Sequence, residues 1–320
     1  MLSKNKDRNE LYESFLALNI KSPITVNDLI RFGLTVMRKA NINHHYFGTT
    51  DLKGTSQYLV FWGLGFPYTY DDKFYLESKL TEVEIIKIIN LFEERIVERL
   101  PVAYITNEDW YNGYKFYVNE NVLVPRSLMA KNFNEFIEKI KWQNYRVLDL
   151  CTGSGCIGIT LALLNSKLNV DLVDILDKAL EVTQKNIDIF KLHNRVKCFQ
   201  SDVFENVKDK YDLIISNPPY LNTSEYEAND EEWKNEPKIA LECGKEGLNV
   251  INRIFTNSHN YLTESGFLIM EVGYTAEKIL KNKYSNFFDW IEFTDSQGKK
   301  MANSGVLRCK ASQLIDFQVK

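Results

Sequence analysis

The segment YDLIISNPPY, residues 211–220, holds the side chains with the clearest potential for chemistry. Its apolar run predicts a buried strand that ends at Asn217. Pro218 and Pro219 fix φ and have no backbone N–H, so the turn is stiff and offers acceptors. The Asn217 side-chain oxygen and the Pro218 carbonyl can each accept one hydrogen of a planar amino group, while Tyr220 packs on the flat substrate. The alternative is a rigid turn without chemistry.

The segment VLDLCTGSGCIGI, residues 147–159, has the order strand, glycine turn, helix. Gly153 and Gly155 let the backbone approach a ligand closely, and the free amides at the start of the helix favour an anion. That geometry suits dinucleotides and S-adenosylmethionine alike. GSGCIG also fits the dinucleotide pattern G-x-G-x-x-G when it is read from Gly153 to Gly158. Against that interpretation, Asp149 lies in the approach to the loop, and the asparagine–proline turn has no role in hydride transfer.

Aspartates follow the next two predicted strands. VDLVDI ends its strand at Asp174, where a carboxylate can accept both ribose hydroxyl protons. QSDVF places Asp202 where it can reach an adenine amino group, with Val203 beside the ring. Acidic residues at the ends of successive strands line the crevice in which such folds bind ligands. Each aspartate alone could equally well cap the helix that follows it.

The elements that must position these groups change character along the chain. The first ~98 residues have helical periodicity, and one helix opens with the capping box Thr81-x-x-Glu84. VAYIT, KFYVN and NVLVP are expected to be strands, with a turn at Asn112-Gly113 between the first two. The remainder alternates strands with helices and predicts a doubly wound α/β sheet. We expect a helical substrate-recognition domain over residues 1–99, a β-hairpin linker over 100–125 and a Rossmann-like domain over 126–320.

The bulk properties exclude several classes of protein. The 320 residues carry a formal net charge of -4, which argues against a large duplex-DNA footprint. No apolar run reaches the ~20 residues of a membrane helix, and the charged N-terminus lacks the core of a secretion signal. Five cysteines show neither a disulfide framework nor metal-ligand spacing. We therefore expect a cytoplasmic protein without a metal site.

These motifs resemble the amino-methylating branch of the class I S-adenosylmethionine-dependent methyltransferases. Its [DNS]-PP-[YFW] motif is shared by enzymes that act on adenine, cytosine and protein glutamine. ERLPVAYITNEDWYNGYKFYVNENVLVPRS before the glycine loop, and NEPKIALECGKEGLNVINRI after NPPY, look like the protein glutamine methyltransferases. The resemblance is close over roughly residues 98–273, and it implies a helical domain, a β-hairpin linker and a catalytic domain in this order.

Two subfamilies compete within this resemblance. One methylates the glutamine of the GGQ motif in peptide-chain release factors, and the other a glutamine of large-subunit ribosomal protein L-three. VAYITN, VPRS and CTGSGC look like the ribosomal-protein subfamily. That implies a protein substrate, free or in a ribosome precursor, with no membrane and at most indirect contact with nucleic acid. An adenine-amino DNA methyltransferase and a non-catalytic ribosome assembly factor remain alternatives of different classes.

The resemblance also implies roles for individual residues. The residues expected to contact the cofactor are Asp149, Cys151, Thr152, Gly153, Ser154, Gly155, Asp174, Ile175, Asp202, Val203 and Asn217. The substrate glutamine would be held by Asn217, Pro218, Pro219 and Tyr220, and Arg126 of the linker would close over the site. The chain departs from the family at residues 128–131, where LMAK replaces a PIGE-like sequence and a carboxylate is missing, and in the C-terminal FTDSQGKKMANSGVLRC.

An acidic run follows the NPPY motif, in SEYEANDEEWKNEP. Its six carboxylates are Glu225, Glu227, Asp230, Glu231, Glu232 and Glu236. A solvated loop is one interpretation. The other is a lid that attracts a basic ribosomal protein by long-range charge.

Overall fold

The computed structural model describes residues 9, 11, 23–42, 51–66, 73–133, 145–229, 231–284, 287–291 and 305–317. The chain packs as two compact units. One consists of Met1–Glu108 with Glu231–Asn235, and the other of Asp109–Asp230 with Glu236–Lys320. The two packed units divide after residue 108, nine residues beyond the boundary expected after residue 99. The expected boundaries after residues 99 and 125 concern the roles of the domains, and they remain a prediction.

The first unit is helical in its described part. Its helices are α1 (Val26–Lys39), α2 (Leu52–Leu64), α3 (Lys73–Glu77), α4 (Glu82–Val97) and α5 (Val102–Thr106). The predicted capping box at the start of α4 is confirmed, because the Thr81 hydroxyl accepts from the Glu84 amide and the Glu84 carboxylate accepts from the Thr81 amide. None of the described helices is long and apolar enough to cross a membrane.

A segment distant in sequence packs in this unit because its carboxylate and amide find partners there. Arg95 of α4 is completely buried, and its guanidinium lies 3.7 Å from the Glu232 carboxylate. Arg99 lies 3.5 Å from the same carboxylate. The Asn235 amide donates to the carbonyl of Arg99 at 2.9 Å. A buried carboxylate needs such partners, and these contacts explain why Glu231–Asn235 belongs to the helical unit.

The predicted linker strands are partly wrong. VAYIT forms the helix α5, because four of its residues are buried and the Thr106 hydroxyl donates to the Val102 carbonyl, so packing overrides β propensity. NVLVP forms no strand. The hairpin consists of β1 (Glu108–Tyr111) and β2 (Tyr114–Tyr117), joined as predicted at Asn112-Gly113, where both residues have positive φ.

The second unit contains a seven-stranded sheet in its described residues. Its strands are β3 (Arg146–Leu150), β4 (Asn169–Asp174), β5 (Val196–Gln200), β6 (Tyr211–Ser216), β7 (Leu262–Glu271), β8 (Asp289–Ile291) and β9 (Val306–Lys310). Their order is β5-β4-β3-β6-β7-β9-β8, and all neighbours are parallel except the pairs that β9 makes with β7 and β8. The chain reverses direction across the sheet between β3 and β6, which is where open α/β sheets bind ligands.

Helices and short 3₁₀ turns connect the strands. The helices are α6 (Cys156–Leu164), α7 (Asp177–Phe190), α8 (Thr223–Ala228), α9 (Asn249–Tyr261), α10 (Tyr274–Lys283) and α11 (Ala311–Leu314), and the turns are Leu128–Asn132, Glu231–Asn235 and Lys238–Ala240. The neighbouring β6 residues Leu213 and Ile214 belong to different buried clusters, because adjacent side chains of a strand point to opposite faces. The predicted α/β class is confirmed. Most of the departing C-terminal segment, namely its residues 293–304, lies outside the described residues.

Candidate active site

A cavity of about 290 Å³ lies where strands β3 to β6 end. Among the residues predicted from sequence, those that line it are Arg126, Cys151, Thr152, Gly153, Ser154, Asp174, Ile175, Asp202, Val203, Asn217 and Pro219. The parallel strands therefore bring groups separated by some 90 residues of chain to one rim. Asp149, Gly155, Pro218 and Tyr220 are not part of the lining.

The glycine loop presents backbone to this cavity. Gly153 has φ 56°, and a Cβ added there would meet no protein atom within 4 Å. Its N–H donates to Asp174 Oδ2 at 2.9 Å, and its carbonyl accepts from the Thr183 hydroxyl at 2.7 Å. Gly155, at φ 81°, is the N-cap of α6. Positive φ at both positions is what glycine supplies at low cost.

Two residues of α7 that were not predicted from the sequence hold this loop. Besides Thr183, the fully buried Asn186 donates from Nδ2 to the Ser154 carbonyl at 2.8 Å. The same side chain accepts from the Tyr117 amide at 2.7 Å and donates to its carbonyl at 2.9 Å. Asn186 therefore connects the β-hairpin to the glycine loop. A single asparagine in an amphipathic helix carries no sequence signal for this role.

Asp149 supports the loop from beneath. It is fully buried, and its Oδ2 accepts from the Thr152 hydroxyl at 2.7 Å and the Gly158 amide at 2.9 Å. Burial raises the pKa of Asp149 to about 7, although these hydrogen bonds lower it. A Cβ at Gly158 would lie 2.3 Å from Leu172 Cδ2. The third glycine of GSGCIG is therefore explained by close packing.

The two strand-end aspartates differ in their partners. Asp174 accepts from the Gly153 amide and, at 3.1 Å, from the Leu176 amide, and burial raises its pKa. Asp202 instead pairs with Arg253 of α9 at 2.8 Å, where both side chains remain partly exposed. Arg253, which was not predicted from the sequence, also lines the cavity.

Two residues other than glycine adopt positive φ beside the cavity. Cys151 has φ 58° and Val203 has φ 55°. This conformation is uncommon, especially for a β-branched residue, and such strain concentrates at ligand sites. Burial also raises the pKa of the Cys151 thiol far above its usual value. Cys151 is therefore a neutral thiol and not a nucleophile.

The NPPY loop carries a buried acceptor. Asn217 follows β6 directly, and its side-chain oxygen is buried without a hydrogen-bond partner among the described residues. The Tyr220 ring lies against Gly273, where a Cβ would come within 2.5 Å of it. The Leu221 amide donates to the Leu241 carbonyl at 2.9 Å. The structure thus places Asn217 and Pro219 at the cavity, with the Tyr220 ring packed behind the loop.

Another part of the cavity wall is held by carboxylates. Glu236 Oε1 and Oε2 both lie 2.8 Å from Arg126 Nη1, and Oε2 accepts from the Val124 amide at 3.0 Å. Glu271 accepts from the Ser127 hydroxyl at 2.6 Å and from the Leu128 amide at 2.9 Å. Arg126 was predicted from the sequence as a site residue, whereas neither carboxylate was. The wall therefore has acidic partners despite the absence of the family's carboxylate at residues 128–131.

Three of the six carboxylates of the acidic run make hydrogen bonds or ion pairs within the protein. Glu225 accepts from the Asn222 amide and from the Thr275 hydroxyl. Glu232 and Glu236 are buried in ion pairs with arginines. Glu227 and Glu231 remain exposed, and Asp230 lies outside the described residues. The interpretation as a solvated loop is therefore wrong for Glu225, Glu232 and Glu236. Because these three carboxylates already have partners, they are not available to attract a basic protein.

Comparison with known proteins places the chain in a family. The sequence profile of the Methyltransferase small domain matches residues 127–232. The ribosomal protein uL3 glutamine methyltransferase of Francisella tularensis is 35% identical over 301 residues, covering 92% of this chain and 92% of that protein. The enzyme of the same name from Neisseria meningitidis serogroup A is 33% identical over 280 residues, covering 86% and 91%.

Solved structures show more distant similarity. The human methyltransferase 10 domain containing protein aligns with a TM-score of 0.43 and 16% identity, covering 62% of this chain and 89% of that one. A Pyrococcus furiosus methyltransferase gives 0.42 and 14%, covering 60% and 86%. The family assignment rests on the sequence relatives. They confirm the predicted S-adenosylmethionine-dependent methyltransferase and, within it, the ribosomal-protein subfamily. The chain belongs to the family of ribosomal protein uL3 glutamine methyltransferases.

Proposed function

We propose that this protein transfers the methyl group of S-adenosylmethionine to the side-chain amide nitrogen of a glutamine in ribosomal protein uL3. The observation that carries the proposal is the Asn217 side-chain oxygen, a buried acceptor without a partner among the described residues at the rim of the cavity. The names of the relatives support uL3 as the substrate.

The cavity fits the cofactor in its donors and acceptors. S-adenosylmethionine supplies an electrophilic methyl group on a sulfonium. The exposed backbone at Gly153 admits a ligand at close range, and each Asp174 oxygen keeps acceptor capacity for ribose hydroxyls beyond its one backbone bond. Asp202 and Val203 line the part of the cavity that we assign to the adenine.

The substrate amide is held by acceptors. The Asn217 oxygen and the Pro218 carbonyl accept the two hydrogens of the glutamine –NH₂ group and so fix the direction of its nitrogen. A buried acceptor left unsatisfied costs about 1–3 kcal/mol, and an N–H donor from the substrate removes that cost. An amide nitrogen is a poor nucleophile, so positioning is the main contribution that the loop can make.

The proton of the amide needs no strong base within the cavity. The described lining residues include no histidine or lysine, and their two aspartates are engaged elsewhere, Asp174 by backbone amides and Asp202 by Arg253. A methylated amide that carries an extra proton is a strong acid and loses the proton to water after methyl transfer. The cavity residues therefore act by orientation rather than by general base catalysis.

The protein substrate also needs a recognition surface. We assign this role to the N-terminal helical region, residues 1–99, and we place the reaction in the cytoplasm, on uL3 that is free or in a ribosome precursor. Methylation of a release factor is the nearest competing activity, because the same loop chemistry would serve it.

Methyl transfer to candidate substrates tests the proposal. The protein is incubated with methyl-labelled S-adenosylmethionine and, in parallel, with unmodified uL3, an unmodified release factor and DNA. Each reaction is repeated with Asn217→Ala and with Asn169→Ala, an exposed asparagine that serves as the matched control. We expect label in uL3 with the wild type and the control, and none with Asn217→Ala.

Other outcomes separate the alternatives. Label in the release factor alone would mean that the release factor, and not uL3, is the substrate, while the proposed methyl transfer to glutamine would stand. Label only in DNA would overturn the substrate class. The absence of label in every tube would favour a non-catalytic assembly factor.

A further inference from the structure

Two buried carboxylates contact the same short stretch of the cavity wall, which we call the wall segment (residues 124–128). Glu236 is 2% exposed and Glu271 is 5% exposed. Glu236 accepts from Val124 and Arg126 at one end of the wall segment. Glu271 accepts from Ser127 and Leu128 at the other end.

The two carboxylates are related to the NPPY loop in different ways. Glu236 follows that loop along the chain. Glu271 ends β7, and its neighbour Met270 pairs in register with Ser216, the residue before Asn217. Glu271 Oε1 also lies 3.5 Å from the Tyr220 hydroxyl. The wall segment and the substrate loop are therefore linked through Glu271, and neither Glu236 nor Glu271 lines the cavity itself.

A neutral side chain of the same shape would hold the wall less well. A buried carboxylate is stable only when it is fully hydrogen-bonded, and hydrogen bonds to a charged acceptor are about twice as strong as neutral ones. Each carboxylate here receives donors from two consecutive or nearly consecutive wall residues. The position of the wall segment is thus set by charge.

We propose that Glu236 and Glu271 are positioning residues for methyl transfer: both hold the wall segment in place, and Glu271 also fixes it relative to the NPPY loop. The proposal rests on the proposed function. Glu236 contacts only the wall segment among these elements, and its loss weakens cofactor binding. Glu271 also contacts Tyr220, and its loss additionally lowers the rate.

The experiment uses the full-length protein with Glu236→Gln, Glu271→Gln and the control Glu181→Gln, whose side chain is exposed on α7. Calorimetry with S-adenosylhomocysteine gives the Kd, and steady-state methylation of uL3 gives kcat and KM. For Glu236→Gln we expect Kd to rise about tenfold, with kcat at saturating cofactor changed less than about threefold. For Glu271→Gln we expect a similar rise in Kd and, in addition, a kcat about tenfold lower.

A second variant covers the case in which a buried substitution lowers the melting temperature. Arg126→Met keeps much of the side-chain length but removes the nitrogen that lies 2.8 Å from both Glu236 oxygens. It should raise Kd for S-adenosylhomocysteine by several-fold, as Glu236→Gln does. An Arg126→Met variant that binds like the wild type would overturn the proposal.

The outcomes distinguish a failure of the positioning role from a failure of the proposed function. If the wild type binds and methylates while both glutamine variants match Glu181→Gln, the positioning role is wrong and the proposed function stands. If kcat and Kd change by the same factor in both variants, the role is general stability and the proposal is overturned. If the wild type fails to bind S-adenosylhomocysteine, both proposals fail.

Discussion

The two sides of the cavity are built in different ways. On the glycine-loop side, the contacts of Asp149 with Thr152 and Gly158 span 3 and 9 residues of sequence. On the wall side, the contacts of Glu236 and Glu271 span 110 to 144 residues. Backbone in left-handed conformations faces the cavity on the first side, whereas charged side chains determine the position of the second.

The two sides should therefore contribute to function in different ways. A backbone surface with fixed φ approaches a cofactor closely and depends little on charge. A wall held by carboxylates keeps its place only while its ion pairs and hydrogen bonds persist. We therefore expect the glycine loop to control cofactor affinity through shape, and the wall segment to support that affinity through charge. The NPPY loop, in contrast, should control the rate through orientation.

The largest effect should come from the NPPY side. Asn217→Ala removes the buried acceptor of that loop, and we expect the rate of methyl transfer to uL3 at saturating cofactor to fall by about a hundredfold or more. Rapid-quench single-turnover kinetics measure this rate. A rate within about tenfold of the wild type would show that the loop does not aim the amide.

The next effect should concern the fold of the glycine-loop side. In Gly158→Ala the new Cβ would lie 2.3 Å from Leu172 Cδ2 and 3.0 Å from Asp149 Oδ2. We expect the free energy of unfolding to fall by about 1–3 kcal/mol, as for other overpacked sites. Urea unfolding of the variant and the wild type measures this difference. Unchanged stability would mean that the loop and β4 separate easily.

A smaller effect should depend on pH. Asp149 has its pKa raised by burial to about 7, so the folded protein keeps a proton that the unfolded chain releases near its ordinary value of ~3.9. Stability is therefore lost as pH rises through the interval from about 4 to 7, and the loss ends above 7. The amide of an Asp149→Asn variant does not titrate. The free energy of unfolding of this variant, relative to that of the wild type, should therefore rise by on the order of 2 kcal/mol between pH 5 and pH 8.

Urea unfolding of both proteins at pH 5 and pH 8 measures that gain. An equal difference between variant and wild type at the two pH values would contradict a raised pKa at Asp149.

The sequence predicted the sheet and most of the cavity rim. Alternating apolar and helical segments identified the α/β class, and Asn217, Asp174 and the glycines were found because short motifs at strand ends meet at one rim. Prediction of VAYIT as a strand failed, because α5 is a five-residue helix whose stability comes from burial rather than propensity.

The supporting residues could not be predicted in the same way. Glu236 and Glu271 lie 110 and 144 residues from their partners, and Asn186 lies 69 residues from Tyr117. A carboxylate in an acidic run is expected to be solvated, and a single asparagine in a helix is expected to be exposed. Only the three-dimensional structure shows that these polar side chains are buried and have partners.

A crossed comparison of two variants tests the division between the two sides most directly. Calorimetric Kd for S-adenosylhomocysteine and the single-turnover rate at saturating cofactor are measured for Gly153→Ala and Asn217→Ala. Gly153→Ala places a Cβ at φ 56° beside the cavity and should weaken binding about tenfold while leaving the rate nearly unchanged. Asn217→Ala should lose the rate and keep Kd within about threefold. Equal losses of binding and rate in both variants would contradict separate roles for the two sides.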